Sequence, residues 1–218
     1  MLLVTLLFAI SMPVIELIAG PNGAGKSTFV HRLLQPRTHL PFIIADQIAT
    51  ELWPGSEVEN AHRAAAVAVD QRNDAMVRGE SFITETVFSH HSKLDLVKMA
   101  IRVGYEVNLS VILIPLDNTI HRVSERVARG GHQVPTSKII SRYGRLWRLI
   151  AEASLLTDRT DFYDNSSASS PFQLVATLEY GRMVGLPNWP MWTPLELHQV
   201  GVILQSTRTT KPDLRCAW

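Results

Sequence analysis

Eight residues constrain this chain more than any others. Gly20-Pro21-Asn22-Gly23-Ala24-Gly25-Lys26-Ser27 follows the pattern G-x-x-x-x-G-K-[ST]. Before it, residues 14–19 (VIELIA) form a short apolar, β-branched run that suits a buried parallel strand. After it, residues 26–34 read as a helix stopped by Pro36. Strand, glycine-rich loop and helix N-terminus together make a phosphate cradle. The glycines let consecutive backbone N–H groups turn inward around phosphate oxygens, and the helix N-terminus adds partial positive charge. In that cradle Lys26 reaches the β- and γ-phosphates, the Ser27 hydroxyl ligates Mg²⁺, and Thr28 touches the α-phosphate. The expected ligand is ATP or GTP with Mg²⁺.

The rest of the chain alternates strands with helices. Residues 42–45 and 81–84 read as the second and third strands, and 106–116 (EVNLSVILIPL) as the fourth. Residues 47–53 read as a helical turn; 60–78, 92–103, 118–129 and 136–153 read as helices. Residues 161–165 and 172–177 read as late, peripheral strands. This order implies an α/β fold: a parallel sheet with helices on both faces and a helical lid. Three segments follow: an apolar extension over 1–12, a P-loop domain over 13–180, and a tail over 181–218 packed on the core.

Composition excludes several classes. The 218 residues are 46% hydrophobic and 19% charged, with 21 basic and 20 acidic side chains and a net charge of +1. This is a globular balance, and it disfavours an indiscriminate nucleic-acid or membrane-surface binder. The one cysteine, Cys216, cannot form an internal disulfide, which points to a reducing, cytoplasmic setting. The apolar run 1–10 (MLLVTLLFAI) is too short to span a bilayer, and no Lys or Arg precedes Lys26 to make a signal-peptide n-region. It reads as an extension that the phosphate loop does not need.

Three groups beyond the loop would select the chemistry. Asp46, at the end of the second expected strand, falls where a carboxylate can accept the proton of an attacking hydroxyl; it also suits a helix N-cap. Glu85-Thr86 follows the third strand in the same way, and Glu85 could bind a substrate hydroxyl or a metal-bound water. Arg122, Arg126 and Arg129 recur at i, i+4, i+7 on one helical face. Arg129 and Arg142 flank the glycine-rich stretch 130–135, an arrangement that looks like a lid whose arginines close on transferring phosphate. His132, inside that stretch, could read substrate or cap a helix. The histidines lack metal-ligand spacing, so no zinc site is expected. GPNGAGKST also opens many ABC-type ATPases, but their LSGGQ-like signature and Asp-Glu strand end are missing here.

GPNGAGKST, ADQIA (45–49), ETVFS (85–89), RVSERVARGGHQVP (122–135), ISRYGRLW (140–147) and YDNS (163–166) occur in an order that resembles the zeta-toxin family of P-loop kinases, in particular its short, stand-alone bacterial members. The resemblance covers about residues 13–180. It implies ATP-dependent phosphorylation of a small-molecule hydroxyl, in the best-known members the 3′-hydroxyl of UDP-N-acetylglucosamine. By position it makes Lys26 and Ser27 the nucleotide and metal ligands and Asp46 the base. It makes Glu85 and Thr86 acceptor-binding residues, and Arg129 and Arg142 a phosphate clamp. A small antitoxin covering the nucleotide site is typical of the family. The alternatives are a polynucleotide or nucleoside kinase, and a nucleotide-binding module without transfer activity. The first usually shows D-x-x-R, whereas Asp46 is followed by Gln47-Ile48-Ala49.

Overall fold

The computed structural model describes residues 12–129 and 134–200. Residues 1–11 of the expected extension, His132 and residues 201–218 of the expected tail lie outside them. Strand β1 (Val14–Ala19) runs into the glycine-rich loop and then into α1 (Lys26–Phe29), a π-helical turn (Val30–Leu34) and α2 (Gln35–Thr38). There follow α3 (Ala45–Leu52), α4 (Ala61–Arg78), β2 (Phe82–Thr86), α5 (Ser92–Arg102) and β3 (Glu106–Leu113). The chain continues through α6 (Leu116–Ala128), α7 (Thr136–Ser154), β4 (Arg159–Asp164), β5 (Gln173–Glu179), β6 (Arg182–Met183) and α8 (Leu195–His198).

The sheet has the order β2-β1-β3-β4-β5-β6. Its first four strands are parallel; β5 pairs antiparallel with β4, and β6 antiparallel with β5. The α/β class stands, with a mixed rather than purely parallel sheet. The Ser-rich loop after β4 is too short for a helical crossover, so β5 turns back beside its neighbour. Nor is β4 peripheral: it pairs with β3, and Phe162 on it is fully buried. Alternation along β1 divides the core. Ile15, Leu17 and Ala19 join the cluster that contains residues of α5 and α7, while Ile18 faces Phe29 and Val30 of the α1 segment. Beyond β6, Trp189 packs edge-on against Phe162 at 5.1 Å, and Leu197 of α8 is fully buried. No described helix is long and apolar enough to cross a membrane.

Two expected boundaries are corrected. Residues 42–45 do not form a strand: Phe42 makes a single bridge to Ile83, Ile44 is the extended N-cap, and α3 begins at Ala45. Asp46 therefore sits in the first turn of a helix, where its charge meets the positive end of the helix dipole. Pro36 does not stop the helix either. The π turn shifts the Gln35 N–H to the Val30 carbonyl, Pro36 takes an early position in α2 where a missing N–H costs least, and the segment ends at His39 with φ of 56°.

Gly20 links β1 to the loop. Its φ is +150°, and a Cβ there would lie 2.5 Å from the Ile112 carbonyl oxygen of β3. Gly20→Ala should lower unfolding free energy by about 1–3 kcal/mol. Urea denaturation checks this; an unchanged midpoint would mean the backbone moves aside freely.

Candidate active site

The glycine-rich loop holds its shape through contacts to its carbonyl groups. Lys26 Nζ donates to Pro21 O at 3.1 Å. Arg122, from α6, donates to Gly23 O at 3.5 Å and to Asn165 O at 2.8 Å. Asn165, which follows β4 and is 7% exposed, donates its amide to Ala24 O at 2.8 Å. A Cβ on Gly25 would meet that same amide nitrogen at 2.8 Å. The loop is thus braced from outside, by the residues after β4 and by α6. Engaging the carbonyl oxygens in this way leaves backbone N–H groups as the loop's offering to an anion.

Lys26 is 8% exposed. Burial pushes its ammonium below the usual lysine range, Glu85 and Asp46 pull it back up, and Arg126 and Arg142 push it further down. Those four charges therefore converge on one amine. Ser27 Oγ donates to Glu85 Oε2 at 2.8 Å, joining the end of β2 to the start of α1. A hydroxyl beside a carboxylate is a hard oxygen donor set that fits Mg²⁺, an ion that keeps several waters and takes its remaining ligands from phosphates. No group of three or more His, Cys, Asp or Glu residues suited to a metal occurs among the described residues. The Asn22 side-chain oxygen is buried with no hydrogen-bond partner, so the loop itself can still receive a donor.

These groups line one cavity of about 900 Å³. Asn22, Gly23, Gly25, Lys26, Ser27 and Thr28 form its floor, and Asp46, Glu85, Thr86 and Arg142 reach it from three further elements. Gly20, Pro21 and Ala24 shape the loop without lining the cavity. Arg129 is exposed at the end of α6 and is not on the cavity wall. Arg126, one turn earlier, takes that place, with Lys138 beside Arg142 on α7. The i, i+4, i+7 spacing marked the right face of α6 but not which turn meets the cavity. Lys138 was detectable as the residue one turn before Arg142. Thr50, Glu57 and Val58 line the far wall and carried no sequence signal.

Residues 15–142 match the family model described as an AAA domain. This chain belongs to the AAA domain family. No curated protein matches it. Among solved structures, this AAA domain protein is similar to a chain of the AvrRxo1-ORF1:AvrRxo1-ORF2 complex with sulphate ions, at 16% identity and a TM-score of 0.65, over 86% of this chain and 63% of that one. It is also similar to a chain of the PezAT chromosomal toxin-antitoxin system of Streptococcus pneumoniae, at 18% identity and a TM-score of 0.52, over 70% and 69%. A chain of the Pnkp1/Rnl/Hen1 RNA repair complex matches at 17% identity and a TM-score of 0.52, over 65% and 46%. The protein spans less than two thirds of the length of the AvrRxo1 chain. At these identities the likeness is one of fold: a P-loop domain of kinase-like architecture.

Proposed function

We propose that this AAA domain protein is an ATP-dependent kinase of zeta-toxin type that moves the γ-phosphate to a hydroxyl of a small molecule. The observation that carries the reading is the convergence of Asp46, Glu85, Arg126 and Arg142 on the buried Lys26 of a phosphate loop, in a cavity with room beyond the loop. Lys26 and the loop N–H groups hold the phosphates. Ser27 and Glu85 would hold Mg²⁺, which when bound would neutralise phosphate charge. Asp46 takes the proton as the acceptor oxygen bonds to phosphorus and the bond to the ADP oxygen breaks. Arg142 and Arg126 stabilise the charge that develops. An acceptor of the UDP-N-acetyl amino sugar class belongs to this reading, with Thr86 and the Thr50–Val58 wall on the acceptor's side. So does a small antitoxin partner, because two of the similar folds come from a two-component complex and a toxin-antitoxin system.

Incubation of the protein with labelled ATP and a metabolite extract, read by mass spectrometry, tests this. One class of hydroxyl compound is expected to gain phosphate, and chelation of Mg²⁺ to stop it. ATP binding with no phosphorylated product would leave a binding module. Label confined to added RNA or DNA ends would make it a polynucleotide kinase.

A further inference from the structure

Three carboxylates line the cavity: Asp46, Glu57 and Glu85. Asp46 and Glu85 have parts in the transfer, and Glu57 has none. Glu57 lies in the connection between α3 and α4 and is partly exposed. The Gly55 N–H donates to its Oε1 at 3.0 Å, closing the turn at Pro54-Gly55. That bond, and one from its own backbone N–H, hold the carboxyl below the usual carboxylate range. The group is therefore ionised at neutral pH. Among the described residues it joins no ion pair. A carboxylate can accept more hydrogen bonds than this turn supplies, so Glu57 has acceptor capacity left over for a ligand in the cavity.

The side chains beside it on the cavity wall share that character. Thr50 Oγ1 donates to Asp46 O at 3.1 Å, so its proton is committed and its lone pairs remain. Thr50 stands one helical turn after Asp46 on α3, about 5–6 Å away between Cβ atoms, and both line the cavity. Val58 and Ala61 add small apolar surface. Every cation on the cavity wall comes from elsewhere: Lys26 from α1, Arg122 and Arg126 from α6, Lys138 and Arg142 from α7. The cavity thus has a cationic side, which suits phosphate, and an α3–α4 side whose polar side chains accept. A ligand group that meets the second side must donate, as a hydroxyl or an amine does. A phosphate or carboxylate there would be repelled and left without a partner.

We propose that Glu57 is a specificity-determining residue for the phosphate acceptor: its carboxylate, with the Thr50 hydroxyl oxygen, accepts hydrogen bonds from a second hydroxyl or an amine of the molecule whose first hydroxyl Asp46 deprotonates. The acceptor is then a polyol or an amino alcohol rather than a simple alcohol, and the part of it at this wall carries no anion. Hydrogen bonds to a charged acceptor are about twice as strong as neutral ones, and a site built around them rejects analogues that lack the donor. The inference rests on the kinase reading and deepens it, by naming what the acceptor carries besides the reacting hydroxyl.

The test uses the full chain, labelled ATP and a dilution series of the metabolite extract, whose half-saturation gives an apparent KM for the acceptor. Glu57→Gln keeps the side chain's length and an oxygen for the Gly55 N–H, and removes the charge. It should raise that KM about tenfold or more, with kcat, ATP affinity and urea midpoint close to those of the parent. The labelled compound, once identified, is then compared with analogues that each lack one of its other hydroxyl or amine groups. On one of them the parent should lose a similar factor, and Glu57→Gln should lose little more, because both changes remove the same contact. An unchanged acceptor KM in Glu57→Gln overturns the proposal. So does a labelled compound with no second donor, or losses that multiply for every donor removed. A lower urea midpoint, with kcat and ATP affinity falling together, would reduce Glu57 to a residue that closes the turn. A parent that labels nothing sinks the kinase reading and this inference with it, whereas a labelled product with Glu57→Gln unaffected sinks this inference alone.

Discussion

Asp46→Asn is expected to bind ATP as the parent does and to transfer phosphate about 10²–10⁴-fold more slowly. The substitution keeps size and shape and removes the negative charge, and with it the ability to take a proton. Asp46 is exposed in the first turn of α3, and Thr50 bonds its backbone carbonyl rather than its carboxylate. The structural cost is then limited to the lost charge at a helix N-terminus, about 0.3–1 kcal/mol. Steady-state kinetics, ATP titration and urea denaturation measured on one preparation separate the outcomes. A fall in kcat with ATP affinity and unfolding midpoint nearly constant supports a base. Full activity removes Asp46 from that role. A fall in ATP affinity at constant kcat would make it a nucleotide or metal ligand instead.

How these residues could be found without a structure depends on how local their geometry is. The phosphate loop is local: eight consecutive residues and the strand and helix around them define it, and its spacing alone locates Lys26 and Ser27. Asp46 and Glu85 were found by a weaker rule, that ligands sit beyond the carboxyl ends of parallel strands. For Asp46 the rule led to a residue that lines the cavity, but through the wrong element, since Ile43 bonds Ile83 across a single bridge and the chain turns into α3 at once. The lid shows where local pattern stops. Helical spacing puts Arg122, Arg126 and Arg129 on one face, but where along α6 the loop and cavity are met decides their fates. Arg122 is drawn down to the Gly23 and Asn165 carbonyls, Arg126 reaches the cavity, and Arg129 is left outside. Asn165 lies 141 positions from the carbonyl it holds, a separation that no periodicity in the sequence encodes.

Lys26→Met should have the largest effect on transfer, a loss of about 10³-fold or more, with weakened ATP binding. The expected effect on stability is the opposite of an ordinary core substitution. Met keeps most of the aliphatic stem and drops a charge that burial disfavours. The variant loses the hydrogen bond to Pro21 O, at 3.1 Å, worth about 0.5–1.5 kcal/mol net. It also sheds the penalty of holding an ammonium group out of water, several kcal/mol before its neighbours offset it. Glu85 and Asp46 offset only part, because burial outweighs them and leaves the lysine below its ordinary value of 10.5. Without nucleotide, Lys26→Met should therefore melt at or above the parent temperature. The sign of the pH dependence follows from the same shift. Over the alkaline range beneath 10.5 the unfolded parent binds more protons at this site than the folded one, so raising the pH there stabilises the parent relative to Lys26→Met. The gap between their melting temperatures should narrow as pH rises, and ATP should reverse it at neutral pH, since bound phosphates favour the charged lysine. A Lys26→Met protein that melts well below the parent at every pH would show that the amine holds the loop together, and that its loss of activity reports a collapsed cradle rather than a missing charge.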